Sequence, residues 1–286
     1  MEYIPIIIIG PGRSGTNMLR DIITSMDGFE TWDCDEINPI WRYGNRDYPT
    51  DEIPISQLTP DIKKYIRQRF YRLYKKSKSK FIVEKTCANS LRLEYVFNIF
   101  PEAKYIIINR DGRDVTISAM KRWRAKFELK YTLKKLRYVP LTDIFYYLCK
   151  FGINRIKKIS SKSNNLSFWG PQYKGISDDV LKKSSLEICA NQWKRCTDNI
   201  LKQRVNIPSE NILDFKYESF VRNPINEMKR FNKFFNLTLP KKDITELVSG
   251  VSDRSVGSHK RQLNYSEIEL LKKITGPTLE KLNYDK

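Results

Sequence analysis

The feature that most restricts this fold lies at the start, where Tyr3 to Ile9 is a continuous isoleucine-rich run. Such a run is the pattern of a strand buried on both faces of a parallel sheet. Gly10-Pro-Gly interrupts it, and Ser14 to Met26 then carries apolar residues at helical spacing: Met18, Leu19, Ile22, Ile23 and Met26. A strand, a glycine turn and a helix in that order open a phosphate-binding βα unit.

Further alternation follows. Phe81-Ile82-Val83 and Lys104 to Asn109 are short apolar runs, with a helical pattern from Leu91 to Phe100 between them, and Ile212 to Phe215 reads as a late strand. Strands alternating with helices predict an α/β three-layer sandwich with a central, mainly parallel sheet. The stretch from about Tyr131 to Ile176 departs from this rhythm. It is basic and aromatic with helical spacing, then rich in Ser, Asn and Gly. The expectation is one domain spanning residues 1–286, with residues 131–180 inserted as a lid over the active-site edge.

The loop Gly10 to Asn17 has the glycines of a phosphate loop, whose backbone N–H groups and helix dipole attract anions. Aligned on GxxxxGK[ST], however, the lysine position holds Thr16 and the magnesium-binding hydroxyl position holds Asn17. A nucleoside triphosphate hydrolase needs both missing groups. The cation comes earlier, at Arg13, beside Ser14 and Gly15, an arrangement suited to a diphosphate-like group handled without metal. A second anion site is expected after Asn109. Arg110 sits at the carboxyl end of a parallel strand, where open α/β sheets bind ligands. Ser118 lies eight residues on, about two helical turns away, so the pair can grip one phosphate from two sides. Asp111 and Asp114 read as helix-capping carboxylates.

GPGRSGTN near the amino terminus, with FPEAKYIIINRDGRDVTISA at residues 100–119, resembles the PAPS-dependent sulfotransferase family (PAPS is 3′-phosphoadenosine 5′-phosphosulfate). The resemblance implies a P-loop NTPase-like fold. Arg13, Ser14, Gly15, Thr16 and Asn17 would take the 5′-phosphosulfate, and Arg110 and Ser118 the 3′-phosphate. ILDFKYESFVRNP is similar to the family's late strand and helix, which implies Tyr217 near the adenine. GSHKRQ resembles a basic loop closing over the nucleotide with Lys260 and Arg261. About two thirds of the chain is covered by the resemblance.

Transfer needs cations on the spreading oxygen charge and a base for the acceptor proton. Arg13 and Lys85 are the candidate cations, Lys85 by likeness to the family's EKT-type strand end. Where cytosolic members carry a histidine, this chain has Cys87. Branches acting on glycans and on tyrosine use a glutamate after the second strand, which implies Glu36 as the base. Glu84 is the next candidate, although alternation along a strand can point it away from Lys85. Asp33, Asp35 and His259, read as a solvated loop histidine, follow.

The net charge of +19 favours a polyanionic partner, and 40% hydrophobic with 12% aromatic residues fills a core. An acidic glycan, a lipid-linked sugar or another small molecule suits the charge as acceptor through a hydroxyl or amine, with Trp41 and Arg42 as candidate acceptor contacts. No nucleic-acid partner is expected, whereas peripheral membrane contact is compatible with the charge. Five cysteines without CxxC pairing argue against a zinc site or a disulfide framework. The first strand begins too early for a signal peptide, and no run of about 18 apolar residues exists. A cytoplasmic enzyme is therefore expected. The competing readings are a magnesium-dependent P-loop kinase of nucleosides or sugars and a non-catalytic basic binding protein.

Overall fold

A computed structural model describes residues 2–123, 138–140 and 169–284. Its five strands are β1 Ile4–Ile9, β2 Phe29–Glu30, β3 Phe81–Lys85, β4 Lys104–Asn109 and β5 Ile212–Lys216. They form one sheet in the order β2-β3-β1-β4-β5, with every pairing parallel. β1 is central. It pairs with β3 from Ile4↔Phe81 to Ile8↔Lys85, and with β4 from Ile6↔Lys104 to Ile9↔Ile107. The chain builds one side of β1 with β2 and β3, then crosses to build the other with β4 and β5. Ligand crevices open beyond the carboxyl ends of strands at such a reversal, and the glycine loop leaves β1 there.

Alternation along the strands makes two apolar layers. On one face Ile7, Ile9, Ile82, Tyr105 and Ile107 meet α2 (Asn38–Trp41), α3 (Pro60–Ser77) and α4 (Leu93–Ile99). On the other, Ile6, Ile8, Val83, Ile106 and Ile108 meet α1 (Thr16–Thr24). α5 (Gly112–Trp123), α6 (Ile176–Lys182) and α7 (Ser185–Gln203) follow. After β5 come α8 (Tyr217–Arg222), α9 (Pro224–Phe235), α10 (Lys241–Leu247), α11 (Ser258–Gln262) and α12 (Tyr265–Lys281). This is the predicted three-layer α/β architecture. The expected lid falls mostly outside the described residues; of residues 131–180, 138–140 and 169–180 are described.

The expectation for Trp41 and Arg42 is corrected. Trp41 is fully buried, its ring centroid 5.9 Å from Phe70 and 6.2 Å from Phe100. The short α2 turns it onto the sheet, where an indole buries far more apolar area than an exposed contact uses. Arg42 is buried against Asp51 at 3.0 Å and against the carbonyls of Thr50, Asn45, Arg46 and Tyr48. Its charge and donors are occupied. No described helix is long and apolar enough to cross a membrane. Cys34, Cys87, Cys189 and Cys196 are free thiols, and Cys149 lies outside the described residues.

Candidate active site

The loop between β1 and α1 is bent by two residues in the left-handed region, Arg13 at φ 72° and Gly15 at φ 91°. Gly15 is the N-cap of α1, and a Cβ there would lie 2.5 Å from the Tyr217 ring. Only glycine satisfies both constraints. Arg13 holds its conformation against the cost of a side chain at positive φ, a kind of strain that clusters at ligand sites. Its Nε donates to Ser118 Oγ at 2.9 Å. Ser14 is fully buried, and its Oγ has no hydrogen-bond partner, an orphan that a bound anion oxygen would satisfy.

Arg110, at the end of β4, donates through Nη1 to the Arg13 carbonyl at 2.9 Å and through Nη2 to the Ser255 carbonyl at 3.0 Å. Its guanidinium lies 4.1 Å from the Tyr217 ring centroid, and its buried Nε has no partner. Tyr217 OH and Ser255 Oγ are 2.8 Å apart. Arg13 thus stands between the two predicted gripping groups, its side chain on Ser118 and its carbonyl on Arg110. Among the described residues, neither Arg13 nor Arg110 has a carboxylate partner. Burial, then the charges of Arg122 and Arg110, lower the pKa of Arg13. Arg13 and Arg110, without a carboxylate among the described residues, suit an anion.

Asp114, at the start of α5, does cap a helix, but a different one. It accepts from the backbone N–H of Gly257 at 2.7 Å and of His259 at 2.9 Å, and from Ser258 Oγ at 3.0 Å. His259 Nδ1 is 2.8 Å away. Burial opposes the charge, yet these bonds outweigh it and hold the Asp114 pKa at about 2. His259 is therefore buried rather than solvated, because α11 docks on α5. That docking places Ser255 against Arg110 and Tyr217. Lys260 and Arg261 are exposed, and no hydrogen bond joins either to the Arg13–Arg110 cluster; Arg261 caps the carbonyls of Arg254 and Val256.

Strand parity separates the two residues of Glu84-Lys85. Lys85 follows Phe81 and Val83 toward the α1 face, whereas Glu84 follows Ile82 into the opposite layer. There Glu84 accepts from Thr86 Oγ1 at 2.5 Å and from Asn89 Nδ2 at 3.2 Å, and burial pushes its pKa up to about 7. Lys85 Nζ is 3.3 Å from Glu36 Oε1, and the Cys87 backbone N–H donates to the same oxygen at 3.3 Å. Burial works against the Lys85 charge, but Glu36 together with Cys87 and Asp35 outweighs it, so the pKa of Lys85 rises and the amine stays cationic. Cys87 is pushed up to about 12 by burial and then by Glu36, so it is a thiol rather than a base. Its Sγ meets Thr16 Oγ1 at 3.7 Å, joining the phosphate loop to the Glu36–Lys85 pair. Asp35 is held by Arg20 at 3.2 Å, and Asp33 is exposed. Sequence reasoning missed Ser255 and the helix that Asp114 caps, since both depend on contacts far apart in the chain.

A parallel sheet with a glycine loop beyond its central strand, and beside it guanidinium groups with no carboxylate partner among the described residues, defines an α/β fold with an anion-binding crevice. The family model described as the sulfotransferase family matches residues 5–144 and 158–241, and the chain belongs to that family. It is an enzyme of sulfuryl transfer. The structure is similar to the sulfotransferase domain from the curacin biosynthetic pathway, at 15% identity over 99% of this chain and 98% of that one, with a TM-score of 0.56. It is also similar to a sulfotransferase from Alicyclobacillus acidocaldarius, at 13% identity over 97% and 93%, with a TM-score of 0.53. A mouse sulfotransferase complexed with PAP aligns at 14% identity over 98% and 85%, with a TM-score of 0.52. At these identities the likeness is one of fold. No curated protein sequence matches the chain.

Proposed function

We propose that this protein transfers the sulfuryl group of PAPS to an acceptor hydroxyl, with Glu36 as general base and with Arg13 and Lys85 stabilising the developing charge. The observation that carries this is the joining of two sites by the Thr16–Cys87 contact. One is a cationic anion cradle; the other is a carboxylate held beside a buried lysine. PAPS supplies the activated sulfuryl group. The orphaned Ser14 Oγ and Arg110 Nε, with the glycine-walled loop, fit its phosphates. Ser14, Gly15, Thr16 and Asn17 would hold the 5′ side, Arg110 and Ser118 the 3′-phosphate, and Tyr217 would lie near the base. Lys260 and Arg261 would reach the nucleotide only by turning inward from their exposed helix.

Lys85 and the Cys87 N–H orient Glu36, so that its carboxylate accepts the acceptor's proton as the new bond forms. Arg13 and Lys85 then face the oxygens that gain charge, and the buried Lys85 acts where fields are strong. No residue in this set needs a metal for its role. The acceptor suited to a net charge of +19 is an anionic glycan or a lipid-linked sugar. Thermal-shift titration with PAP and with ATP·Mg²⁺ tests the donor site: a rise with PAP alone supports the proposal. A rise with ATP·Mg²⁺ alone would support a kinase, and no response a binding protein. A PAPS-dependent screen of polysaccharides, phenols and amines then identifies the acceptor.

A further inference from the structure

Four of the five tryptophans (Trp32, Trp41, Trp123 and Trp193) are buried in apolar layers. Trp169 is only partly buried, and it lies against the phosphate loop. The point where a Cβ on Gly12 would stand is 3.2 Å from Cη2 and 3.8 Å from Cζ3 of Trp169, and 3.9 Å from Cys87 Sγ. Trp169, Gly12 and Cys87 therefore converge beside the atoms that join the anion cradle to Glu36 and Lys85. Gly12 is the residue that leaves room for the indole.

The segment carrying Trp169 is held by buried polar groups. Gln192 Nε2, on α7, donates to the Trp169 carbonyl at 3.0 Å and to the Pro171 carbonyl at 2.9 Å. The Gln172 backbone exchanges two hydrogen bonds with Asp51, N–H to Oδ2 at 2.8 Å and carbonyl to the Asp51 N–H at 2.7 Å. Asp51 is in turn fixed by Arg42 and by Arg92, whose side chain is fully buried and also donates to Asn38, two residues from Glu36. A buried network of this kind fixes geometry when each member is satisfied. Here it orders the base segment and the tryptophan segment together.

We infer that Trp169 shields the transferring sulfuryl group from water by covering the Gly12–Cys87 side of the site, with Gln192 as the residue that positions it. The inference rests on the sulfuryl-transfer reading above. Without the indole, water reaches the sulfur. The bond from sulfur to the bridging phosphate oxygen breaks, a bond to the water oxygen forms, and inorganic sulfate and PAP leave with both protons of the water passing to solvent or to the freed phosphate. Exclusion of water from an active site suppresses side reactions of this kind.

The experiment measures sulfate released from PAPS without acceptor by the full-length protein, alongside the rise in melting temperature that PAP produces. Trp169→Ala should raise sulfate release about tenfold and keep the response to PAP. Trp169→Phe should restore most of the protection, and Gln192→Ala should reproduce the leak with the indole still present. Unchanged sulfate release from Trp169→Ala, with PAP still stabilising it, would overturn the inference alone. Loss of the PAP response in Trp169→Ala would also overturn it, since the ring would then hold nucleotide. A wild-type chain that PAP does not stabilise would instead remove the functional reading beneath it.

Discussion

Oε1 of Glu36 lies 3.3 Å from Nζ of Lys85, and the side chain of Lys85 is only 2% exposed. An ammonium this deeply buried is stabilised by its carboxylate partner. Glu36→Gln preserves shape and removes the basic charge. Its kcat in a PAPS-dependent assay should fall by about 10²- to 10⁴-fold, with PAP affinity close to that of the wild type. A variant of undiminished rate would move the base elsewhere.

Arg110 is tied to both the Arg13 and Ser255 carbonyls, and stacks on Tyr217. Arg110→Met should weaken PAP binding by about ten- to a hundredfold, the scale of one charge-assisted hydrogen bond. Isothermal titration reads this directly. Ser118→Ala, which takes one neutral hydroxyl from the same phosphate site and frees the Arg13 Nε it now accepts from, should weaken binding less.

Gly15→Ala introduces a Cβ at φ 91° and 2.5 Å from the Tyr217 ring. Backbone strain of about 1–3 kcal/mol adds to the displacement of Tyr217. The expected result is a lower urea midpoint and a diminished response to PAP.

Glu84 titrates from within the layer behind Lys85, where burial raises its pKa from 4.5 to about 7. The folded state then binds more protons than the unfolded chain between those values. Stability contributed by this group is therefore fully present below about pH 4.5, declines as pH rises to 7, and is level above that. Glu84→Gln removes the titrating group, keeps an acceptor for only one of the two donors Thr86 and Asn89, and should flatten this slope. Unfolding curves across that pH range check it, and an unaltered slope would reassign the effect.

Trp41 fills the layer between Phe70 and Phe100. Trp41→Ala should cost about 3–5 kcal/mol of stability, measured by chemical denaturation. The fraction that folds should keep an unchanged KM for PAPS.

Much of the frame was legible in the chain itself. The runs Tyr3–Ile9 and Lys104–Asn109 hold β1 and β4 because short isoleucine-rich runs suit strands buried on both faces of a parallel sheet. The loop at Gly10–Asn17 was legible because glycine placement and the missing Walker lysine are local facts. Alternation along β3 even foretold the separation of Glu84 from Lys85. The pairs that make the site work were not legible. Arg13 meets Ser118 across 105 residues, and Asp114 holds His259 across 145. Nothing in local spacing reports such contacts, because they depend on which helices pack side by side. For the same reason Trp41 and Trp169 look equivalent as letters. Only the packed structure decides that one fills the core and the other stands beside the phosphate loop.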